Sequence, residues 1–190
     1  MPTREYEAQE GWGILAELPG DPMMWVLIFS ELAIFGLLLG AFSVARAVNP
    51  STFAEGQQLL DPGLAGLNTL VLVTSGWAAA RGGQSAREGR RVHCRRWLSL
   101  AMALGAAFVA IKLTEYAAEI SSGAGLETST FFTLYFLLTG FHLLHVVLGL
   151  VILAVVLRGA AARAVETGTS FWHMVDLVWV LMFPIVYLVH

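Results

Sequence analysis

Long apolar runs separated by short polar clusters dominate the chain. Five runs stand out, at about 22–48, 63–80, 97–120, 129–157 and 170–189. A helix that crosses a bilayer needs roughly 20 mostly apolar residues, and these runs are of that size. They are continuous rather than alternating, which disfavours membrane strands. Helices are the remaining way to satisfy the backbone in lipid. The pattern predicts an all-α, polytopic membrane bundle of five transmembrane helices. The second run is the weakest, because Asn68, Thr69, Thr74 and Ser75 interrupt it.

Turn and cap residues set the expected limits. Asn49-Pro50 ends the first run and Asp61-Pro62 opens the second. Pro62 suits a first helical turn, where its missing N–H costs nothing. Ser121-Ser122-Gly123 closes the third run. Thr128-Ser129-Thr130 offers capping hydroxyls to the fourth, and Gly168-Thr169-Ser170 is expected to do the same for the fifth. Residues 1–20 read as a cytoplasmic tail and 21–190 as the five-helix domain. The tail carries Glu5, Glu7, Glu10 and Glu17 against Arg4, the wrong charge for a cleavable signal.

Composition agrees with the runs. The 190 residues are 57% hydrophobic and 13% charged, with a net charge of -3, and the mean hydropathy is +0.70. Soluble domains are about 45–50% apolar and about 25% charged. These values exclude disorder and nucleic-acid binding as main readings. One cysteine, Cys94, excludes a disulfide scaffold and a multi-cysteine metal site.

Charge sets the expected orientation. Arg4, Arg81, Arg87, Arg90, Arg91, Arg95, Arg96, Arg158 and Arg163 all fall on one side of a five-span chain, nine of its eleven Lys and Arg residues. The positive-inside rule makes that side cytoplasmic. The N-terminus is then cytoplasmic and His190 outside. The same loops are suited to anionic lipid headgroups.

Ionisable residues inside spans are costly and mark a bundle interior. The spans hold Glu31, Lys112, Glu115, His142, His145, His173 and Asp176. Three pairs are spaced three apart, which puts each pair on one helix face. Counting rise along the runs places Glu31 roughly 12 Å and Asp176 roughly 9 Å from the cytoplasmic edge. With His142, His145 and His173 these could form one layer. Lys112 and Glu115 form a separate pair near the outer end, expected as an internal salt bridge. Three roles are open for the layer: a metal site, a proton relay, or hydrogen bonds that fix helix packing. Gly36, Gly40, Gly140 and Gly149 are expected to permit close helix approach. The six tryptophans are expected mostly near span ends, and Cys94 in the arginine-rich loop. No Ser-His-Asp order, phosphate loop or dinucleotide-binding glycine pattern is present.

Several strings carry a family resemblance. Phe141-His142-Leu143-Leu144-His145-Val146 resembles the F-H-G-L-H-V segment of cytochrome oxidase subunit III. Trp172-His173-Met174-Val175-Asp176-Leu177-Val178-Trp179 resembles the W-H-F-V-D-V-V-W of its last helix. Ser30-Glu31 resembles the helix that bears its carbodiimide-reactive glutamate. Leu67-Asn68-Thr69 and Glu115-Tyr116 fall in order between them. The resemblance covers about 20–187. The first two helices of larger members, which help to build a lipid-filled cleft, have no counterpart, so the five-helix form is expected. Leu138-Thr139-Gly140 before Phe141, and Phe183-Pro184, look closer to subunit-III-like proteins linked to nitric oxide reductase than to quinol oxidase subunits.

The resemblance implies a non-catalytic accessory subunit that binds catalytic subunit I and membrane lipid, including phospholipid. It implies no catalytic, cofactor or metal residue in this chain, with haem and copper in the partner. Five histidines and one cysteine are too few for a binuclear haem–copper centre plus a second haem. Glu31 is the implied carbodiimide-reactive position, and subunit I the implied beneficiary in stability and proton uptake. Two other readings stay open: a free-standing proton-coupled transporter and a metal-dependent membrane enzyme. The odd number of helices and the lack of an internal repeat weigh against the transporter.

Overall fold

The computed structural model describes residues 22–159 and 161–189. The N-terminal tail and His190 lie outside the described residues. Helix α1 spans Pro22–Val48, α2 Pro50–Gln58, α3 Pro62–Arg87, α4 Arg91–Ser121, α5 Thr130–Gly159 and α6 Ala162–Phe183. The last continues as one π-helical turn, Pro184–Leu188. No strand occurs among the described residues. Five of the helices are long and apolar enough to cross a membrane, and α3 is the least apolar of them.

Local chemistry explains the boundaries. Asp61 Oδ1 accepts the N–H groups of Gly63 and Leu64 at 2.9 and 3.0 Å, so it caps α3 ahead of Pro62. Ser129 Oγ accepts from the Phe132 N–H at the start of α5. The expected cap at Gly168-Thr169-Ser170 is corrected. Helix α6 begins eight residues before Ser170, and Thr169 and Ser170 turn their hydroxyls back onto the Val165 and Glu166 carbonyls. Alanines and valine before Glu166 carry the helix through a segment that hydropathy alone excludes. Asp176 therefore lies about 21 Å along α6 from its start.

Helix α2 was not expected. It has the polar sequence PSTFAEGQQ and buries Phe53, Gly56 and Gln57. Phe53 packs edge-on against Phe42 and Phe131, which ties α2 to α1 and α5. Pro184 has no N–H to continue the helical ladder, and the chain widens into the π turn there. Arg46 Nη1 donates to the Ile185 and Val189 carbonyls, and Gln57 Nε2 to those of Val186 and Val189. Two distant side chains thus satisfy the end of the fifth span.

In the bundle, α3 packs on α4 and α6, and α5 packs on α6 and α4. Helix α1 sits at the edge against α5, α6 and α2. Asn68 and Ser75 of α3 are directed into its partners. Ser75 Oγ donates to the Ala101 carbonyl and Asn68 Nδ2 to that of Phe108, both on α4. The fully buried indoles of Trp172 and Trp179 donate to Ser75 and Thr69. These two tryptophans are core residues, not interfacial ones. Cys94 is likewise on α4 and fully buried, not in a loop. Of the expected close-approach glycines, Gly149 serves that role and Gly36 and Gly40 do not. Gly36 and Gly40 have nothing near the place of a Cβ, whereas Gly105 and Gly149 face the Trp172 ring from α4 and α5, each at 2.7 Å.

Candidate functional site

The seven ionisable positions separate into three groups rather than one layer and a pair. The first joins α1 to α5. Glu31 Oε2 lies 3.1 Å from His145 Nε2, with both side chains half-buried. His145 Nδ1 lies 2.8 Å from the Phe141 carbonyl oxygen. A carbonyl only accepts, so Nδ1 carries a proton. His142 is buried one turn earlier, yet neither ring nitrogen has a hydrogen-bond partner. Its ring lies against Trp179 at 5.2 Å and edge-on to Phe35 and Phe108. Phe35 also meets His145 edge-on, so an aromatic ring stands beside both imidazoles.

The second group is on α6. Asp176 is buried against α3, where its Oδ2 fills the space a Cβ at Gly76 would need. Its Oδ1 has no partner. His173 Nδ1 lies 3.9 Å from Oδ2, and the His173 side chain is 46% exposed. His173 thus faces out of the bundle, away from Glu31 and His145. Asp176 seats on α3 and His173 faces outward, so side-chain contacts do not join the five residues into one group.

The third group is the largest. Lys112 is completely buried, and its Nζ lies 3.1 Å from Glu115 Oε2. Nζ also donates to the hydroxyls of Tyr135 at 2.8 Å and Tyr187 at 2.6 Å. Tyr187 donates to Glu115 Oε1, while Tyr135 Oη lies within 2.9 Å of Glu115 Oε1 and 2.7 Å of Glu119 Oε1. The ammonium sits over four rings, those of Tyr116, Tyr135, Trp179 and Tyr187, at 4.8 to 5.5 Å. Desolvating an ammonium costs several kcal/mol, so it persists only with such a full set of partners.

Sequence reasoning missed Glu119, Tyr135 and Tyr187. Glu119 had a signal, since positions 112, 115 and 119 share one helical face. The tyrosines had none, because they arrive from α5 and from the π turn.

The groups differ in what they can do. Among the described residues, no cluster of three or more His, Cys, Asp or Glu side chains is arranged to hold a metal ion. His145 is committed to Glu31 and the Phe141 carbonyl, and His142 is enclosed by rings. These imidazoles do not fit the axial position of a haem. The pairs do join helices: Glu31–His145 ties α1 to α5, and the Lys112 cluster ties α4, α5 and the end of α6.

Comparison with known proteins places this arrangement. The sequence profile of cytochrome c oxidase subunit III matches residues 22–190. A cytochrome c oxidase subunit 3 from Synechocystis sp. is 33% identical over 181 residues, spanning 90% of this chain and 76% of that protein. One from Thermostichus vulcanus is 30% identical over 183 residues, spanning 90% and 89%. A cytochrome bo(3) ubiquinol oxidase subunit 3 from Pseudomonas aeruginosa is 27% identical over 175 residues, spanning 86% and 82%. With the profile covering every described residue and all seven polar positions, this chain belongs to the cytochrome c oxidase subunit III family.

Proposed function

We propose that the chain is the non-catalytic accessory subunit of a haem–copper-type respiratory complex, docked in the membrane against the catalytic subunit. The supporting observation is the family match across residues 22–190. Its role is to support the stability and proton uptake of the catalytic subunit, where the haem and copper reside. The half-buried Glu31–His145 pair, on the edge helix α1 and on α5, is the group assigned to that role. Exposed His173 marks a face for a protein partner, because an imidazole facing lipid finds no hydrogen bond there.

Within the family, we place the chain with the small subunits linked to nitric oxide reductase. The strings Leu138–His145, Trp172–Asp176 and Phe183-Pro184 support that choice. We also place the N-terminus in the cytoplasm of a bacterial inner membrane. One end of the bundle gathers Arg87, Arg90, Arg91, Arg95, Arg158 and Arg163. There Arg87 meets Glu166 at 3.4 Å, and Arg95 donates to the Arg158 carbonyl.

Affinity capture of the tagged chain from native membranes in mild detergent tests the proposal. A haem-bearing core subunit should come with it, identified by its haem spectrum and by mass spectrometry. The identity of that core separates oxygen from nitric oxide reduction. A colourless, solitary protein would overturn the accessory role, and uptake by that protein alone in liposomes would favour a transporter.

A further inference from the structure

A cavity of about 290 Å³ opens at the end of the bundle opposite the arginines, where α2, the start of α3 and the last turns of α4 meet. Leu59 and Leu64 form apolar walls, Asp61 and Thr114 line its sides, and Glu115 and Glu119 reach it from α4. Glu119 is 7% exposed, and its Oε2 has no partner although Oε1 is held by Tyr135. Among the described residues in this cluster, Lys112 is the one cation facing Glu115 and Glu119. The cavity therefore offers carboxylate and hydroxyl acceptors, an excess of negative charge and no cationic side chain.

We propose that this cavity binds a primary ammonium group, with Glu119 Oε2 as its anchor. An ammonium supplies N–H donors to the orphaned oxygen and balances the second carboxylate, and such charge-assisted bonds are the strong ones. A bare metal ion suits the site less well, since no set of three ligands converges there. The ammonium has two sources: the ethanolamine headgroup of a phospholipid, or a small soluble amine. The walls favour the lipid. Leu59 is 65% exposed beside the cavity, and the site lies toward the end of helices long enough to span a membrane. An acyl chain then runs down an apolar helix face while the phosphate stays at the mouth.

The test uses the full chain purified in mild detergent and offered dioleoyl phosphatidylethanolamine or dioleoyl phosphatidylcholine, with retention read by native mass spectrometry. The choline lipid carries a cation of the same charge but no N–H donor. Ethanolamine lipid should be retained about ten-fold better, the effect of one charge-assisted hydrogen bond. Glu119→Gln should abolish that preference. Leu64→Trp, which narrows the mouth without touching the Lys112 cluster, should do the same and decides the matter if the glutamine variant does not fold. If methylammonium chloride stabilises the protein while neither lipid is preferred, the ammonium site stands and its source is a soluble amine. Equal retention of both lipids with no response to methylammonium, or an ethanolamine preference that survives both substitutions, overturns the proposal.

Discussion

Glu31 on α1 and His145 on α5 meet at 3.1 Å, carboxyl oxygen Oε2 against imidazole Nε2. The geometry of His145 makes this so. Its Nδ1–H is used by the Phe141 carbonyl one turn earlier, so Nε2 is left to face the carboxyl oxygen. The contact is a polar tie between two membrane helices, α1 and α5.

A hydrophobic carbodiimide should therefore label Glu31, which is half-buried and open to the edge of the bundle. Glu31→Gln should abolish labelling while circular dichroism stays helical. Labelling that persists in the glutamine variant would assign the reactive carboxyl elsewhere. In a double-mutant cycle with His145→Ala, the coupling should be about 1 kcal/mol, the usual scale for polar contacts between membrane helices.

Trp172 is clamped between two backbones. A methyl at Gly105 or Gly149 would stand 2.7 Å from its ring. Gly105→Ala and Gly149→Ala should each destabilise the bundle by about 1–3 kcal/mol through overpacking. Trp172→Phe should recover part of that loss. A thermal-unfolding series in detergent reads this directly, and full tolerance of both alanines would show that α4 and α5 can separate.

Lys112 is the group whose removal should be felt most. Lys112→Met leaves Glu115 and Glu119 buried without their cation and should cost about 3–5 kcal/mol. Adding Glu115→Gln should restore much of it, because one uncompensated carboxylate is gone. An additive double mutant would mean that the two side chains do not act as a pair.

His173 should behave in the opposite way. It is 46% exposed, so His173→Leu should change the stability of the isolated chain by less than about 0.5 kcal/mol. The same substitution should lower the yield of the haem-bearing core in affinity capture. Unchanged capture would move the partner to another face.

Orientation can be read with two reporters in a Cys94→Ala background, since Cys94 is itself buried. Glu88→Cys lies in the α3–α4 turn and Glu127→Cys in the α4–α5 turn, both exposed. A membrane-impermeant thiol reagent added to intact cells should modify position 127 and spare position 88. The reverse pattern would invert the bundle.

The residue pattern along the chain established the number of spans, the end of α1, the opening of α3 at Asp61-Pro62 and the spacing of Lys112 with Glu115. These are local matters of length, caps and helical spacing. Spacing along one helix cannot say what faces it from another. Tertiary structure decided that Phe35 and Trp179 flank His142, that Glu119, Tyr135 and Tyr187 complete the shell around Lys112, and that Asp176 seats on Gly76. It also decided the two elements that hydropathy misread. Helix α2 is polar and holds its place by burying Phe53 against two phenylalanines far along the chain. The first turns of α6 are helical though not apolar. Hydropathy reports which residues lipid accepts, whereas packing between helices selects the rotation and depth at which each polar side chain finds its partner.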